Sequence, residues 1–330
     1  MILHAPAKVN LTLRVFDARP DGFHALDSIV VPLSLADKVS LDRADETTLE
    51  LIPEPGVELA ALPANPEANL AFRALRALER IAQRPLPTRI RLYKRIPLGG
   101  GLGGGSSDAA AVLMGINTLW GLGLDAAVLR EIGAGLGSDV PLFLADGLVR
   151  MRGRGEQVER LRIGARPLWL VLANPGVHCP TSEVYHAFDR RPRPSEDFGL
   201  TADDRLCDTI CLSLRAGTFE QVAHCLVNDL GASCFGLFRA VAQTADALRA
   251  AGCRGVTLCG SGATVFGLVR SREEGEGVLA HPALAGCWRA CVQTLPDGVM
   301  AAHGPLTPIV MVRIHVGQPS CVAFASEPEG

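Results

Sequence analysis

Lysine is scarce in this chain. Only Lys8, Lys38 and Lys94 occur among 32 basic residues, so arginine carries nearly all of the positive charge. A Walker A loop requires a lysine directly after its second glycine, and no lysine follows residue 94, which excludes such a loop beyond that point. In a chain that otherwise uses arginine, a lysine in an apolar strand indicates a need for a compact ammonium group.

Long apolar runs and a basic charge excess are also missing. No apolar run reaches the ~18 residues that cross a bilayer. The first residues lack the basic region and long apolar stretch of a signal peptide. The net charge of −3 gives no overall positive field for nucleic acid. We therefore expect a cytoplasmic protein that binds neither membrane nor nucleic acid. We also expect a monomer or weak homodimer, a point that these absences do not decide.

Cysteine is absent from the first half of the chain. All ten cysteines follow residue 178, and none forms a C-x-x-C pair. This spacing is poor for a metal site or a disulfide framework. Because free cysteine behaves as a small apolar residue, the pattern predicts reduced thiols in the core and no metal centre.

Glycine, in contrast, is concentrated in one stretch. Pro97 to Ala111 is P-L-G-G-G-L-G-G-G-S-S-D-A-A-A, preceded by a strand-like run at 89–95 and followed by a predicted helix over 107–119. Glycine allows close approach of the backbone to a ligand, and the first N–H groups of a helix have no partner inside it. We expect Ser106 or Ser107 to cap that helix. The context of strand, glycine loop and helix predicts a phosphate site.

Two other interpretations of the loop remain open. It could be a flexible linker, although such linkers do not usually join a strand directly to a strong helix former. It could also be a dinucleotide fingerprint, since Gly99, Gly101 and Gly104 fit G-x-G-x-x-G. A Rossmann unit needs a second strand ending in an acidic residue about 20 residues later, and none is predicted here.

Three other segments carry side chains that are candidates for binding or catalysis. Alternation from residue 8 to 15 predicts a strand with Lys8, Asn10 and Thr12 on one face. A Pro-Asp-Gly turn places Phe23 and His24 just beyond it, where they form an exposed hairpin tip or an aromatic platform. Asp139 stands at a predicted helix start capped by Ser138, between glycine-rich and apolar flanks.

The remaining pattern predicts alternating strands and helices. Strands are expected at 26–34, 38–42 and 48–53, with Pro32 marking an edge or an end. A helix capped by Thr181 or Ser182 is expected, and later helices near 204–215, 218–226 and 235–251. The apolar runs around Gly260–Ala263 predict a tight hairpin or a second backbone cradle near the phosphates.

Three motifs in this order resemble those of the GHMP small-molecule kinases. They are A-P-A-K-V-N-L at 5–11, the glycine stretch at 97–110, and L-C-G-S-G-A-T-V-F at 258–266. Further elements resemble one branch of the family: R-P-D-G-F-H at 19–24, G-S-D-V-P at 137–141 and P-G-V-H-C-P-T at 175–181. Three ordered motifs are far more specific than one glycine loop.

The resemblance implies an α+β, two-domain fold. The expected parts are an N-terminal domain at 1–153 similar to domain 2 of ribosomal protein S5, a ferredoxin-like C-terminal domain at 154–303, and a tail at 304–330 of unknown role. It also implies an activity: ATP-dependent phosphorylation, with Mg²⁺, of the 2-hydroxyl of a methylerythritol joined to cytidine diphosphate.

Carried over residue by residue, the resemblance implies specific roles. Asp139 would be the catalytic aspartate, accepting the hydroxyl proton, and Lys8 its partner. ATP contacts would come from Asn69, Lys94, Pro97, Gly99, Gly100, Gly101, Leu102, Gly103, Gly104, Gly105, Ser106 and Ser107. Contacts to the cytidine diphosphate substrate would come from Asn10, Phe23, His24, Thr181 and Tyr185. One of the two serines would lie near Mg²⁺, for which no acidic ligand stands out.

The chain departs from the family pattern at two aromatic positions. Phe23 stands where tyrosine is usual, and Tyr185 where phenylalanine is usual. Stacking survives either exchange, because the ring face makes that contact. The alternatives to this substrate are homoserine, mevalonate or a sugar. Outside the family, the alternatives are a nicotinamide-linked oxidoreductase and a non-catalytic binding module on the S5-like fold.

Overall fold

The computed structural model describes residues 1–19, 22–55, 57, 65–191, 200–298 and 314–315. Most of the predicted loop at 190–204, residues 20–21 of the predicted turn, and the tail at 304–330 apart from 314–315 lie outside these ranges. The described chain forms two sheets, flanked by helices. The predicted α+β class is confirmed.

The first sheet is built on a long antiparallel hairpin of two strands, β1 and β2, paired from Ile2–Ser40 to Ala18–His24. Its members are β1 (Ile2–Ala18), β2 (His24–Arg43), β3 (Thr48–Pro53), β4 (Thr88–Lys94), β5 (Val149–Gly153), β6 (Gln157–Arg160) and β8 (Val227–Asn228). The order is β3-β4-β2-β1-β8, and β5 pairs with β2 and β6. The largely antiparallel pairing differs from a Rossmann sheet.

Pro32 does not end a strand, so the prediction of two separate strands at 26–34 and 38–42 is wrong. β2 continues through it, opposite Lys8, where β1 shifts register. On its other side, β2 pairs with β5 at residues 26–30 and with β4 at 38–43. Between those ladders the Pro32 carbonyl accepts from Leu295 N (2.8 Å). Because the nitrogen of a strand residue points to the same side as its carbonyl, the missing N–H of proline lies outside the β1, β4 and β5 ladders, and proline is tolerated there.

Four helices cover one face of the first sheet. They are α1 (Leu70–Ala82), α2 (Gly104–Leu119), α3 (Ala126–Leu136) and α4 (Val140–Ala145). Alanines of α2 and leucines of α1 pack with Leu41, Ile90 and Leu92 of the sheet. The small alanine side chains allow α2 to lie close to β1 and β2. The glycine loop at the start of α2 is thereby fixed beside β1.

The second sheet has the order β12-β11-β7-β10-β9 and is antiparallel. Its strands are β7 (Trp169–Asn174), β9 (Arg254–Leu258), β10 (Val265–Val269), β11 (Trp288–Gln293) and β12 (Ile314–His315). The helices of this half are α5 (Thr181–Asp189), α6 (Leu200–Ala216), α7 (Phe219–Cys225), α8 (Gly231–Leu237), α9 (Arg239–Ala250) and α10 (Arg272–Leu279). The predicted hairpin around residues 260–263 is confirmed as the connection between β9 and β10.

One prediction in this half is wrong. The helix expected over 235–251 is two helices, α8 and α9, separated at Phe238, whose extended backbone precedes α9. Residues 227–228 lie between α7 and α8, where they form β8 and pair in parallel with β1. Asp229 then accepts a hydrogen bond from Val15 N. The second half of the chain is thus joined to the first sheet.

Apolar residues of both sheets share one core. Val9, Leu11 and Ile29 of the first sheet pack with Leu172 and Phe266 of the second. The described cysteines are free thiols, all buried except the half-buried Cys211, which confirms reduced core thiols. The boundary predicted between residues 153 and 154 lies within the β5–β6 hairpin of the first sheet. The division into 1–153 and 154–303 therefore stays a prediction.

Candidate active site

A cleft of about 710 Å³ lies where both halves of the chain meet the glycine loop. Its walls come from β1, β2, the glycine loop, the start of α4, the β5–β6 turn, α5 and the β9–β10 turn. The predicted site residues that line it are Lys8, Asn10, Phe23, His24, Gly99, Gly101, Gly103, Asp139, Thr181 and Tyr185. Residues far apart in the sequence thus share one cavity.

An ammonium and a carboxylate meet at one end of the cleft. Lys8 Nζ lies 3.5 Å from Asp139 Oδ2, with the lysine side chain 6% and the aspartate side chain 32% exposed. Asp139 occupies the N-cap position of α4, where Ser138 was expected, yet its side chain makes no capping hydrogen bond. The carboxylate is therefore held beside the ammonium, with part of its surface open to the cleft.

A chain of hydrogen bonds fixes the ammonium. Lys8 Nζ donates to Asn10 Oδ1 (2.9 Å), and Asn10 Nδ2 donates to Ser28 Oγ (2.8 Å). Ser28 Oγ in turn donates to the carbonyl of Thr12 (2.5 Å). The prediction that Lys8 and Asn10 share a face is confirmed. The network engages both polar ends of the Asn10 amide in orienting Lys8.

The glycine loop leads directly into α2, but the predicted serine cap is wrong. Gly103 is the N-cap, in the left-handed conformation, and the helix begins at Gly104. Ser106 and Ser107 therefore lie inside the first turn. Ser107 Oγ is buried and has no hydrogen-bond partner. The first N–H groups of this long helix are left for an anion, as expected for a phosphate site.

Gly101 is pressed against the β9–β10 turn. With φ +76°, a Cβ at this position would stand 2.0 Å from the carbonyl oxygen of Cys259. On either side, Thr264 N donates to the Gly100 carbonyl (3.2 Å) and Lys8 N to the Leu102 carbonyl (2.9 Å). Glycine is needed at 101 because both the backbone angle and the close approach exclude a side chain. The loop is held between β1 and the second sheet.

Aromatic side chains form the other end of the cleft. The ring of His24 lies 5.2 Å from that of Tyr185, and its Nε2 lies 3.3 Å from Asp189 Oδ1. Burial, and then the Asp139 charge, raise the pKa of Tyr185 to about 12. Phe23 is 56% exposed at the rim. These rings can enclose a flat ligand.

Thr181 connects α5 with the β9–β10 turn, although it does not cap α5. The N-cap is Pro180, and no side chain caps this helix, so the prediction of a Thr181 or Ser182 cap is wrong. The hydroxyls of Thr181 and Ser261 instead lie 2.9 Å apart. Thr181 therefore ties α5 to the β9–β10 turn on the cleft wall.

Other predicted nucleotide residues lie away from the cleft lining. Asn69 caps α1 by accepting from Ala71 N (2.9 Å). Lys94 is buried beside Asp37 and Asp108, while Leu102 belongs to the core between the sheets. Pro97, Gly100, Gly104, Gly105, Ser106 and Ser107 complete the loop and helix start behind the lining glycines. Their roles toward a nucleotide stay predictions.

Sequence reasoning missed several lining residues. They are Ser138, Met151, Arg154, Ser182, His186 and Asp189. The sequence does carry a signal for Arg154, since an arginine between two glycines indicates a tight turn with an exposed positive charge. For the others, only the fold brings their segments to the cleft.

A buried ion cluster joins the two ends of the glycine loop. Lys94, where β4 ends, pairs with Asp37 of β2 and with Asp108 of α2. Asp37 Oδ1 also accepts from the backbone N–H groups of Arg95 and Ile96, whereas Asp108 Oδ1 has no partner. Burial, and then the Asp37 charge, raise the pKa of Asp108 to about 7, against the opposing effect of Lys94. The cluster holds one carboxylate more than its single ammonium neutralises.

Asp108→Asn is expected to change how stability depends on pH. Because the pKa of Asp108 is higher in the folded state than its ordinary value of 3.8, the folded protein binds more protons between pH 3.8 and about 7. This group's contribution to the free energy of unfolding therefore falls as pH rises through that window. In the wild type, this contribution should lower the free energy of unfolding by at least about 1 kcal/mol between pH 5 and pH 8, as measured by urea unfolding. The asparagine variant should lack that decrease.

Asp246→Asn is the matched control, because Asp246 is exposed and its one ion pair among the described residues is with Arg249. Its difference from wild type should be the same at both pH values. Equal differences for Asp108→Asn at pH 5 and pH 8 would contradict the raised pKa.

In the described ranges, no group of three His, Cys, Asp or Glu side chains is arranged to hold a metal ion. None of the helices in those ranges is both long enough and apolar enough to cross a bilayer.

Comparison with known proteins gives the family. Residues 69–147 match the GHMP kinases N terminal domain, and residues 213–281 match GHMP kinases C terminal. A 4-diphosphocytidyl-2-C-methyl-D-erythritol kinase of Citrifermentans bemidjiense is 37% identical over 298 residues, covering 89% of this chain and 98% of that protein. The Cereibacter sphaeroides enzyme of the same name is 42% identical over 295 residues, with 86% and 95% covered. A crystal structure of 4-(cytidine 5'-diphospho)-2C-methyl-D-erythritol kinase has TM-score 0.69 and 32% identity, covering 88% of this chain and 99% of that one.

Proposed function

The chain belongs to the GHMP kinase family, and on that premise we propose that it transfers the γ-phosphoryl group of ATP to the 2-hydroxyl of 4-diphosphocytidyl-2-C-methyl-D-erythritol. Relatives that bear the name of this kinase match along nearly their whole length. The observation that carries the proposal in the structure is the Lys8–Asp139 pair, 3.5 Å apart, beside the glycine loop.

Asp139 accepts the proton of the substrate hydroxyl as its oxygen attacks the γ-phosphorus. Proton transfer by a positioned carboxylate suits phosphoryl transfer, where the protein chiefly orients the groups and neutralises charge. The bond from the γ-phosphorus to the β-γ bridging oxygen breaks, and ADP leaves. Lys8 stabilises the negative charge that builds up between the carboxylate and the phosphoryl group. Asn10 serves mainly to aim the ammonium, since both ends of its amide are engaged.

The backbone of the glycine loop and the first turn of α2 bind the ATP phosphates. Gly99, Gly101 and Gly103 have the left-handed backbone conformation, so every second residue of the loop has positive φ. This alternation turns successive N–H groups toward one concave side. The Ser107 hydroxyl, which has no hydrogen-bond partner, suits a cation that prefers oxygen ligands at this helix start. Mg²⁺ usually keeps several waters and takes most of its other ligands from the phosphates, so the scarcity of carboxylates here is compatible with it. When bound, Mg²⁺ neutralises phosphate charge.

The aromatic end of the cleft takes the cytosine. Phe23 and Tyr185 offer ring faces, and the ring of His24 brings nitrogen donors and acceptors between them. Because Nδ1 of His24 lies 2.7 Å from the Phe16 carbonyl, that nitrogen carries the proton. Nε2 lies 3.3 Å from Asp189 Oδ1, and both residues line the cleft. Thr181 contacts the part of the substrate nearest the Ser261 turn.

The test is a comparison of alcohol acceptors. ADP release would be followed with 4-diphosphocytidyl-2-C-methyl-D-erythritol, homoserine, mevalonate and galactose, and the product of the best acceptor located by ³¹P NMR. The expected result is turnover with the first acceptor alone and a phosphate on its 2-oxygen. Preferred turnover of another acceptor would overturn the substrate assignment, and binding of NAD without any ATP dependence would overturn the kinase itself.

Gly101→Ala is expected to lower kcat/KM for ATP on the order of 100-fold, because the loop must move away from Cys259 and carries the phosphates with it. Steady-state kinetics with ATP varied would measure this. Gly121→Ala is the matched control. Gly121 also has positive φ (+61°), but a Cβ there meets nothing within 4 Å. Similar kinetics for the two variants would contradict the requirement for close approach at Gly101.

A further inference from the structure

Arg154 stands at the rim of the cleft, in the turn between β5 and β6. Its guanidinium lies over the ring of Phe23, 5.1 Å from the ring centre. The Glu156 side chain fixes the turn, since its Oε2 accepts from Arg154 N (2.5 Å). Arginine stacks on aromatic faces through its flat guanidinium while the edge stays able to donate hydrogen bonds. Arg154 thus presents a positioned set of donors at this rim.

Two of the basic side chains that line the cleft have a carboxylate beside them. Lys8 faces Asp139, and His24 faces Asp189. Among the described ion pairs of the chain, the Arg154 guanidinium takes part in none, although it lines the cleft. A permanent cation that has no carboxylate partner among the described residues, at the mouth of a binding cavity, is suited to an anionic ligand group.

The position of Arg154 along the cleft indicates which anionic group of the ligand it binds. Next to it, Gly155 packs against Ser138, so closely that an added Cβ would stand 3.4 Å from Ser138 Cβ. Ser138 adjoins Asp139, where the reacting hydroxyl lies, and Phe23 belongs to the end that takes the base. Arg154 therefore lies between these ends. In a substrate that joins a base to the reacting alcohol, the linking diphosphate occupies that interval.

The geometry points to Arg154 as a further substrate-specificity residue, which binds the diphosphate of the nucleotide-linked alcohol while Phe23 supports its guanidinium. This inference rests on the proposed function, because it takes the substrate to be a cytidine diphosphate derivative. As a consequence, the site recognises the diphosphate through the Arg154 side chain and the base through the aromatic rings of the cleft. Phosphate-free analogues then bind without help from Arg154.

The experiment compares cytidine with cytidine diphosphate as probes. Calorimetric titration would be performed on wild type, Arg154→Gln and Arg154→Lys, with kinetics on the full substrate. Arg154→Gln is expected to weaken CDP binding and raise KM for the diphosphocytidyl substrate about 10-fold or more, the size of a lost charge-assisted contact. Cytidine affinity and KM for ATP should change less than about twofold, within the range of surface substitutions. Arg154→Lys should recover part of the CDP affinity, because the charge remains.

Arg152→Gln is the matched control on the same hairpin. Its side chain pairs with Glu159 (3.6 Å) and does not line the cleft, so every constant should stay at the wild-type value. Equal weakening of cytidine and CDP by Arg154→Gln would overturn the diphosphate role, and so would no weakening of either. If wild type binds CDP but fails to phosphorylate the full substrate, the proposed function fails while the titrations still decide the role of Arg154. A wild type that does not bind CDP overturns both.

Discussion

Asp139→Asn is expected to lower kcat by about 10²–10⁴-fold, the usual contribution of a positioned general base. Asparagine keeps the size of the side chain but cannot accept the hydroxyl proton. The fold should be unaffected, because the Asp139 side chain makes no capping hydrogen bond to α4. Single-turnover kinetics with ATP and the diphosphocytidyl alcohol would measure the loss, and the thermal midpoint would report on folding.

Asp125→Asn is a matched control for this experiment. Asp125 is also an aspartate at a helix N-cap, and it caps α3 through Ala127 N and Val128 N. Asparagine caps helices about as well as aspartate, so both activity and stability should be retained. Near-normal turnover by Asp139→Asn with an intact fold would refute the general-base role.

Lys94→Met is expected to destabilise the fold by about 3–5 kcal/mol, because it leaves two buried carboxylates without their cation. Lys94 is 3% exposed, and Asp37 and Asp108 lie on either side of its ammonium. Burial alone would lower the pKa of Lys94, but the charges of Asp108 and Asp37 outweigh it and raise that pKa, which shows how strongly the site holds the ammonium. Urea unfolding at pH 8 would measure the loss.

A double variant separates charge from packing. Adding Asp108→Asn to Lys94→Met should restore part of the lost stability, because the remaining Asp37 still accepts from two backbone N–H groups. Lys38→Met provides the comparison, since Lys38 lies over the ring of Tyr93 and makes no such buried cluster. The absence of any coupling between Lys94 and Asp108 in this cycle would contradict the charge imbalance.

The order of motifs along the chain was enough to predict the family and the class of chemistry. Six glycines within residues 99–105, between a strand and a helix, have few structural uses, so the sequence predicts a phosphate loop; that role stays a prediction. The alternation that places Lys8 and Asn10 on one face is local, and it was confirmed. The division at residues 153–154, the oligomeric state and the cellular location stay predictions.

Local rules failed where a long-range contact outweighed them. Ser106 and Ser107 are good caps, yet the left-handed Gly103 starts the helix three residues earlier, because the loop must bend around the β9–β10 turn. Pro32 lies inside a strand because the neighbouring ladders leave a gap there. Neither the turn nor the gap is visible in nearby residues.

The sequence by itself determined the chemistry available to this protein: a glycine-rich backbone for phosphates, an isolated lysine, a carboxylate at a helix start, and aromatic rings after a turn. Only the tertiary structure decided which of these groups meet. It set Lys8 beside Asp139, engaged Asn10 in holding that lysine, buried Lys94 between two aspartates, and brought Arg154 to the rim over Phe23. The physical reason is that residue type and period are local properties, whereas the distances between side chains on different elements depend on strand register and on how helices and two sheets pack.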